Sequence, residues 1–296
     1  MEVINGIYLP PAAGMRALSR RLRQIKHVAL DMDGTIYNGR TLFPFTNPFL
    51  ARLKELGIGY SFLTNNPSKS VADYVVHLRK MGVEASEGDF YTSAQATIDF
   101  LRSERPEVKS LFILGTPSMV REFEEAGFRS TADSSLDEPD AVLVSFDLTL
   151  AYSRLCRAAW WIKQGKFYVA TNPDKVCPTD LETVLVDCGS ICHSLEHATG
   201  RMPDVVVGKP DPRMLNGVMK RYGLQPSQVA MVGDRIYTDL LMAYRAEALG
   251  VLVLSGETDL ETARTSHPVP DMIIQDLSVF DRLLEAVCEP LFSEVP

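Results

Sequence analysis

Short apolar runs and amphipathic segments alternate along the first third of the chain. The run over residues 27–31 ends in acidic residues, which is typical of a buried parallel strand that stops at a functional loop. A helical pattern follows over residues 46–57, then an apolar run over 59–64 and another helical pattern over 68–81. This alternation predicts an α/β fold with a parallel sheet covered on both faces.

The same alternation returns late in the chain. Apolar runs lie at 205–209, 229–234 and 250–254, with helical patterns at 213–222 and 238–246 between them. We expect these elements in the same Rossmann-like sheet, with ligands at the carboxyl ends of its strands.

The middle of the chain has a pattern of its own. Apolar runs lie at 111–114, 141–144 and 167–170, with helical patterns at 118–126 and 153–164. A separate α/β module is therefore expected here. The predicted organisation is a core of residues 27–93 and 189–296 with an inserted α/β cap domain of residues 94–188.

Residues 1–26 form a basic extension with one acidic residue, Glu2. The apolar positions, Ala17, Leu18, Leu22 and Ile25, are spaced as one helical stripe. We expect a short basic helix that lies on the main domain. An organelle-targeting peptide is the weaker alternative, because such a peptide has more serines and no early acid.

Composition narrows the class of protein. The 296 residues suggest two compact units, and 46% hydrophobic with 23% charged residues suits a globular chain. Lys and Arg number 30 against 38 Asp and Glu, a net charge of −8, which disfavours nucleic acid and anionic membranes as partners. No apolar run reaches the ~18–20 residues of a membrane span, and residues 1–26 lack a secretory signal. A cytoplasmic protein is expected.

The cysteines agree with a reducing compartment, because they are odd in number, sparse and irregularly spaced. They are Cys156, Cys177, Cys188, Cys192 and Cys288. Cys188, Cys192 and His193 resemble a set of zinc ligands, but no CxxC pair accompanies them. Buried small side chains are the preferred interpretation.

Four polar motifs fall where predicted strands end: DMDGT at 31–35, TNN at 64–66, KP at 209–210 and GDRIYTD at 233–239. The ends of parallel strands share one edge of a sheet, so these motifs should converge. Crowded carboxylates repel each other and are costly to desolvate unless a cation is bound. Oxygen ligands favour Mg²⁺ over zinc.

These residue types suit phosphoryl transfer. Asp31 would attack phosphorus, and Asp33 would protonate the leaving oxygen and later deprotonate water. Lys209 would neutralise the nucleophile and the phosphoryl oxygens. The supporting roles are hydrogen bonding by Thr64 and the backbone beside Asn65, metal binding by Asp234, and support of the metal ligands by Asp239.

The four motifs resemble those of the haloacid dehalogenase-like hydrolases in order, residue type and strand context. The resemblance implies an aspartyl-phosphate on Asp31, acid–base work by Asp33, and Mg²⁺ bound by Asp31, Asp234 and the main-chain carbonyl of Asp33. Asp31 and Thr64 are 33 residues apart, whereas Thr64 and Lys209 are 145 apart. The cap must therefore lie in the second gap.

The stretches YTSAQATIDFL, ATNPD and VVVGKPDPRML resemble the NagD-type phosphatases of subfamily IIA, which include p-nitrophenyl phosphatase-like and pyridoxal phosphate phosphatase-like enzymes. The resemblance runs from about His27 to about Val287. In this branch a cap loop closes over the substrate. The substrate-binding candidates are Asn65, Asn66 and Lys209 near the phosphate and Asn172, Asp174 and Lys175 near the leaving group. For Lys175, an exposed loop lysine is an equal alternative.

The expected function is a Mg²⁺-dependent phosphatase that acts on a small phosphorylated metabolite, such as a sugar phosphate, a nucleotide or pyridoxal phosphate. A homodimer is the default assembly. Asp33 disfavours a dehalogenase, because that reaction needs no acid at this position. A phosphomutase or phosphotransferase on the same core stays open. So does a catalytically silent metabolite-binding protein, although no nucleophile or metal ligand is missing.

Overall fold

The structure is a computed structural model that describes residues 2–4, 7–9, 14–179 and 182–288. Its strands are β1 (Glu2–Ile4), β2 (Ile7–Leu9), β3 (His27–Asp31), β4 (Tyr37–Asn38), β5 (Thr41–Leu42), β6 (Gly59–Thr64), β7 (Phe90–Thr92), β8 (Ser110–Leu114), β9 (Arg129–Ser130), β10 (Ala141–Val144), β11 (Phe167–Ala170), β12 (Val176–Cys177), β13 (Leu185–Val186), β14 (Val205–Val206), β15 (Val229–Gly233), β16 (Leu249–Val253) and β17 (Met272–Ile274). Its α-helices are α1 (Met15–Leu22), α2 (Thr46–Glu55), α3 (Val71–Lys80), α4 (Ser93–Glu104), α5 (Pro117–Glu125), α6 (Tyr152–Lys163), α7 (Cys188–Thr199), α8 (Arg213–Tyr222), α9 (Leu241–Arg245), α10 (Leu260–Thr265) and α11 (Leu277–Cys288).

The core sheet has the strand order β1-β2-β17-β16-β15-β3-β6-β7. The strands from β17 to β7 are parallel, and β3 lies between β15 and β6, with Val28 opposite Ala230 and Asp31 opposite Leu63. Apolar side chains of β3 are fully buried because helices cover both faces of the sheet. The predicted parallel α/β core is confirmed.

A second parallel sheet is built from the middle of the chain, in the order β14-β11-β10-β8-β9. Its strands β8, β10 and β11 coincide with the predicted apolar runs. On one face, Trp161 of α6 and Ile191 of α7 pack on Phe112 and Tyr168. We call this sheet and its helices the second unit.

One strand was predicted in the wrong sheet. Val205 and Val206 do not join the core sheet: Val205 pairs with Val169 of β11. A short apolar run does not show which sheet it will join, because that depends on a pairing distant in sequence. The second unit thus includes α7 and β14 and reaches Val206, beyond residue 188, where the sequence analysis ended it.

The two units share apolar packing. Leu63 and Tyr91 of the core sheet belong to the same buried cluster as Leu111 and Ile113 of the second sheet. This continuous packing holds the carboxyl ends of core strands close to the second unit.

The amino-terminal extension packs on the core, as predicted for its helix. Leu18 and Leu22 of α1 are buried, and Arg21 Nη1 lies 2.5 Å from Asp271 Oδ1. The sequence analysis missed the two short strands that precede this helix, of which β2 places Tyr8 opposite Ile273. Within the described part of the chain, no helix is long and apolar enough to cross a membrane.

Candidate active site

Asp31 and Lys209 meet at the carboxyl end of the core sheet. Asp31 is the last residue of β3, and its side chain is 13% exposed. The Lys209 ammonium, 4% exposed, donates to Asp31 Oδ1 and to Asp239 Oδ1, the latter at 2.7 Å. Lys209 arrives from β14 of the second sheet rather than from a core strand, so both sheets build the site.

Three carboxylates crowd this point. One oxygen from each of Asp31, Asp234 and Asp239 lies within 4.8 Å of the others. Burial first, and then the neighbouring carboxylates, raise the pKa of Asp234 to about 7. Burial also raises the pKa of Asp239 to about 6, although the Lys209 ammonium opposes this shift. The Lys209 ammonium and the nearby Arg235 guanidinium together carry two positive charges, which do not balance three carboxylates.

The donor set fits a hard divalent cation. Asp234 Oδ2 accepts from the backbone N–H of Glu257 at 2.7 Å, whereas buried Asp234 Oδ1 has no hydrogen-bond partner. Gly34, at φ +84°, and Gly256 lie so close that a Cβ on either would collide with the Asp234 carboxylate. Carboxylate oxygens with no sulfur or imidazole suit Mg²⁺. Asp31 and Asp234 would hold it.

Asp239, which the sequence analysis expects to support the metal ligands, lies within the carboxylate cluster. Its Oδ1 accepts from Lys209 Nζ. A π-helix over Ile236–Leu240 precedes α9, where the sequence predicted one continuous α-helix from residue 238. Asp239 lies in this π-helical turn, and its Oδ2 also accepts from the backbone N–H of Arg235 at 3.3 Å.

Asp33, two residues after Asp31, lines a cavity. Its Oδ1 accepts from the backbone N–H of Gly39 at 3.1 Å, which fixes the carboxyl group against the loop between β4 and β5. Thr64, the last residue of β6, lines the same cavity and accepts at Oγ1 from the Asn66 N–H at 3.1 Å. Asp33 and Thr64 therefore face the space that a substrate would fill.

Asn65, a predicted substrate-binding residue, also lines this cavity, and its side chain is bonded to the backbone of Lys209. Its Oδ1 accepts from the Lys209 N–H at 2.7 Å, and its Nδ2 donates to the Lys209 carbonyl at 2.9 Å. Asn65 thus fixes the backbone of Lys209. Asn66 is also engaged: its Oδ1 accepts from Ser68, and its Nδ2 donates to Cys177 Sγ at 3.4 Å.

Of the three residues of the second unit that were predicted to lie near the leaving group, only Asp174 lines the cavity. Asn172 is fully buried and donates to Asp174 Oδ2 at 3.3 Å and to Asp187 Oδ1 at 3.1 Å, so it supports the unit internally. Asp174 lines the cavity. Lys175 is exposed and does not line the cavity; its carbonyl accepts from Ser190 Oγ.

The cavity has a volume of about 480 Å³ and lies between the core and the second unit. The hairpin of β12 and β13 contributes Val176 and Cys177 to its lining. Arg235, which the sequence analysis did not select, also lines it, with Nε 2.8 Å from Glu257 Oε2. Its place directly after Asp234 was the available signal, since a cation beside a predicted carboxylate cluster is electrostatically favoured.

The alternative zinc set does not converge. Cys188 and Cys192 are buried with their Sγ atoms 4.0 Å apart, and burial raises the pKa of Cys188 well above its ordinary value. His193 is half exposed, and its Nδ1 lies 3.0 Å from Glu196 Oε2. The two cysteines serve as core side chains, as the preferred interpretation held.

Comparison with known proteins agrees with this geometry. A family model described as haloacid dehalogenase-like hydrolase matches residues 28–129, and a second, HAD-hydrolase-like, matches residues 206–280. The ribonucleotide monophosphatase NagD of Escherichia coli K12 is 31% identical over 87% of this chain and 98% of its own.

Solved structures give the same result. A 4-nitrophenylphosphatase from Thermotoga maritima is 37% identical, with a TM-score of 0.83 over 88% of this chain and 98% of its own. A glycerol phosphate phosphatase from Mycobacterium tuberculosis, solved with magnesium, is 30% identical, with a TM-score of 0.80 over 89% of this chain and 78% of its own. By motif, geometry and similarity along most of its length, the chain belongs to the haloacid dehalogenase-like hydrolases, in their NagD-type branch.

Proposed function

We propose that this protein hydrolyses small phosphate monoesters with Mg²⁺, through an aspartyl-phosphate on Asp31. The observation that carries the proposal is the contact of Asp31 with Lys209 at the end of β3, where Asp33, two residues on, and Thr64 of the neighbouring strand line a cavity. The relatives named as phosphatases support the same reaction class.

The first half-reaction uses Asp31 and Asp33. An Asp31 oxygen forms a bond to phosphorus as the bond from phosphorus to the leaving oxygen breaks, and Asp33 gives that oxygen its proton. Lys209 stabilises the charge on the nucleophile and on the phosphoryl oxygens. The Thr64 hydroxyl and the backbone beside Asn65 donate hydrogen bonds to these oxygens.

The second half-reaction regenerates the enzyme. Asp33, now a carboxylate, takes a proton from water, whose oxygen attacks phosphorus and releases inorganic phosphate and the Asp31 carboxylate. Asp31, Asp234 and the main-chain carbonyl of Asp33 would hold Mg²⁺, which would supply the charge neutralisation that lets the anionic phosphate ester approach the Asp31 carboxylate. Asp239 holds Lys209 in place.

The second unit acts in this proposal as a cap. A cavity of about 480 Å³ suits a small metabolite and excludes a folded phosphoprotein. Asp174 reaches the leaving group from the cap side, whereas Asn172 and Lys175 do not line the cavity. A homodimer and a cytoplasmic location stay predictions of the sequence.

The direct test is turnover of p-nitrophenyl phosphate. We expect activity with Mg²⁺, none with EDTA, recovery when Mg²⁺ is restored, and none in Asp31→Asn. Activity that survives both EDTA and Asp31→Asn would refute the proposal. Phosphate moved between positions of one substrate without release would indicate a phosphomutase, and no turnover over a broad panel of phosphate esters would indicate a binding protein.

A further inference from the structure

A loop that follows a third strand contacts both segments that carry the proposed metal ligands. Asp31 and Asp33 lie at the end of β3, and Asp234 follows β15. Residues 255–257, which we call the 255–257 loop, follow β16, on the far side of β15 from β3. The loop adds no carboxylate to the cluster and does not line the cavity, so the proposed chemistry gives its side chains no role.

The loop binds the Asp234 segment at three points. The Glu257 N–H donates to Asp234 Oδ2 at 2.7 Å. The Glu257 carboxylate binds two further residues of the same segment: Oε1 accepts from the Tyr237 hydroxyl at 2.7 Å, and Oε2 lies 2.8 Å from Arg235 Nε. Because these side-chain contacts hold Glu257 in place, its N–H keeps one direction, and Asp234 Oδ1 is the oxygen left without a partner for a cation.

The loop also contacts the segment that follows β3. Ser255 Oγ donates to the Gly34 carbonyl at 2.7 Å. Gly34 directly follows Asp33, whose main-chain carbonyl is the third proposed ligand. The Ser255 hydroxyl therefore restrains the residue beside that carbonyl, and one loop is bonded to both segments that would donate to the metal.

Close packing leaves these segments little freedom to move. A Cβ on Gly256 would lie 2.1 Å from Asp234 Oδ2, and one on Gly34 would lie 2.4 Å from the same oxygen and 3.2 Å from the Gly256 Cα. The Asp234 carboxylate is therefore enclosed between two glycines. Gly256 has no positive φ, so the close approach, rather than the backbone conformation, requires a glycine there.

We propose that Ser255, Gly256 and Glu257 are positioning residues for Mg²⁺. They fix the distance between the Asp33 carbonyl and the Asp234 carboxylate, and so set the affinity of the site. This inference rests on the proposed function, because the metal belongs to that function. Residues that orient metal ligands change metal affinity by about 10–100-fold when they are replaced.

The test titrates the metal-free, full-length chain with Mg²⁺ alone in isothermal titration calorimetry. Gly256→Ala should raise the dissociation constant for Mg²⁺ by at least about tenfold, because the methyl group displaces the Asp234 carboxylate. Gly217→Ala on α8 is the matched control: a Cβ there would lie 2.0 Å from the Tyr91 hydroxyl oxygen, and neither residue belongs to the carboxylate cluster. It should leave the dissociation constant unchanged, whatever it does to the melting temperature.

Smaller changes test the individual contacts. Ser255→Ala and Glu257→Ala should each raise the Mg²⁺ dissociation constant by about threefold to tenfold. Ser255→Thr keeps the hydroxyl and should restore the wild-type value. Tyr237→Phe removes one contact of Glu257 without a change of charge and should raise the constant by about twofold. Glu261→Ala, at an exposed position on α10, should have no effect.

Turnover of p-nitrophenyl phosphate separates metal binding from substrate binding. In Ser255→Ala and Glu257→Ala, the Mg²⁺ concentration for half-maximal turnover should rise in proportion to the dissociation constant. The KM for the ester at saturating Mg²⁺ should stay within about twofold of the wild type, because neither side chain lines the cavity. A loop that only stabilised the fold would not produce this split.

Two results overturn the inference and leave the phosphatase function standing. One is an active wild type whose Mg²⁺ dissociation constant is unchanged in every loop variant. The other is an equal rise in Gly217→Ala and Glu261→Ala, which would show a general loss of stability. If Gly256→Ala does not fold, Ser255→Ala and Glu257→Ala decide, since they truncate side chains that are not buried. A wild type that neither binds Mg²⁺ nor hydrolyses any ester would count against the proposed function, and the inference would fall with it.

Discussion

The two ends of the central strand β3 differ in how they treat a buried titratable group. At the amino end, His27 is 3% exposed, its Nε2 lies 2.9 Å from Ser61 Oγ, and burial lowers its pKa to about 4, so the ring is neutral. At the carboxyl end, Asp31 meets Lys209 and two further carboxylates. One end is satisfied internally, and the other retains uncompensated negative charge.

The larger of two cavities does not lie at the end of β3 that carries the candidate active site. The larger cavity, about 850 Å³, opens at the amino end beside His27 and Tyr222, and the carboxyl end has about 480 Å³. A satisfied histidine beside a large cavity provides no reactive group, whereas an orphaned carboxylate oxygen beside a smaller one does. Unbalanced charge is the better guide to function in this fold.

The largest effect should come from Asp31→Asn, which removes the nucleophile while keeping its shape. We expect kcat to fall by at least about 10⁴-fold, because no nearby group can form the same intermediate. The melting temperature should not fall, since the change relieves repulsion among three carboxylates. His27→Gln, at the opposite end of the strand, is the matched control and should keep wild-type kcat.

Asp33→Asn should be the next most severe change. We expect kcat for an alkyl phosphate to fall about 10³-fold, because the leaving oxygen loses its proton donor. For p-nitrophenyl phosphate the loss in the first step should be smaller, since p-nitrophenolate leaves without protonation. Equal losses in the rate of that step for both esters would contradict the assignment of Asp33 as the acid.

Asn65→Ala tests the indirect positioning of the lysine. Both amide atoms of Asn65 bond the Lys209 backbone, so we expect about a tenfold lower kcat with little change in KM. The free energy of unfolding should fall by about 1–3 kcal/mol, because buried backbone groups lose their partners. Asn216→Ala, at an exposed position on α8, is the control for loss of an asparagine. Similar effects in both variants would contradict the role of Asn65 in positioning Lys209.

His27→Gln should have the smallest effect on activity, but it should clearly change how the free energy of unfolding depends on pH. Its pKa falls from 6.5 unfolded to about 4 folded, so the unfolded chain binds more protons between these values. The free energy of unfolding should therefore decline as the pH falls from 6.5 to about 4, by up to about 3 kcal/mol.

His27→Gln should flatten this part of the profile of unfolding free energy against pH, measured by urea denaturation. His197→Gln, at an exposed position, should not. An unchanged slope in His27→Gln would show that another group controls acid stability.

The core strands and the four motifs could be predicted because each is a local pattern: an apolar run followed at once by polar residues, as at Asp31 and Thr64. The sheet that a short run joins is not local, so β14 was assigned to the core although Lys209 still reached the site. The direction of a side chain is not local either. Asn65 and Asn172 look like ligand-binding residues in the sequence, yet both are engaged with protein groups.

One physical reason explains why the sequence analysis missed several residues that line the cavity. Arg235, Arg40 and Lys69 come from separate segments that only the folded chain brings to one cavity. Each alone resembles an ordinary surface base. Their common position is visible only once β4, α3 and the π-helical turn are placed around the same space.

The most direct test of the account is chemical trapping of the covalent intermediate. The enzyme is mixed with Mg²⁺ and p-nitrophenyl phosphate, quenched in acid during turnover, and reduced with borohydride, which converts an aspartyl-phosphate to homoserine. Peptide mass spectrometry should find homoserine at position 31 in the wild type, with more of it in Asp33→Asn and none in Asp31→Asn. Turnover without a trapped group at position 31, or with the phosphoryl group on a different residue, would contradict the account.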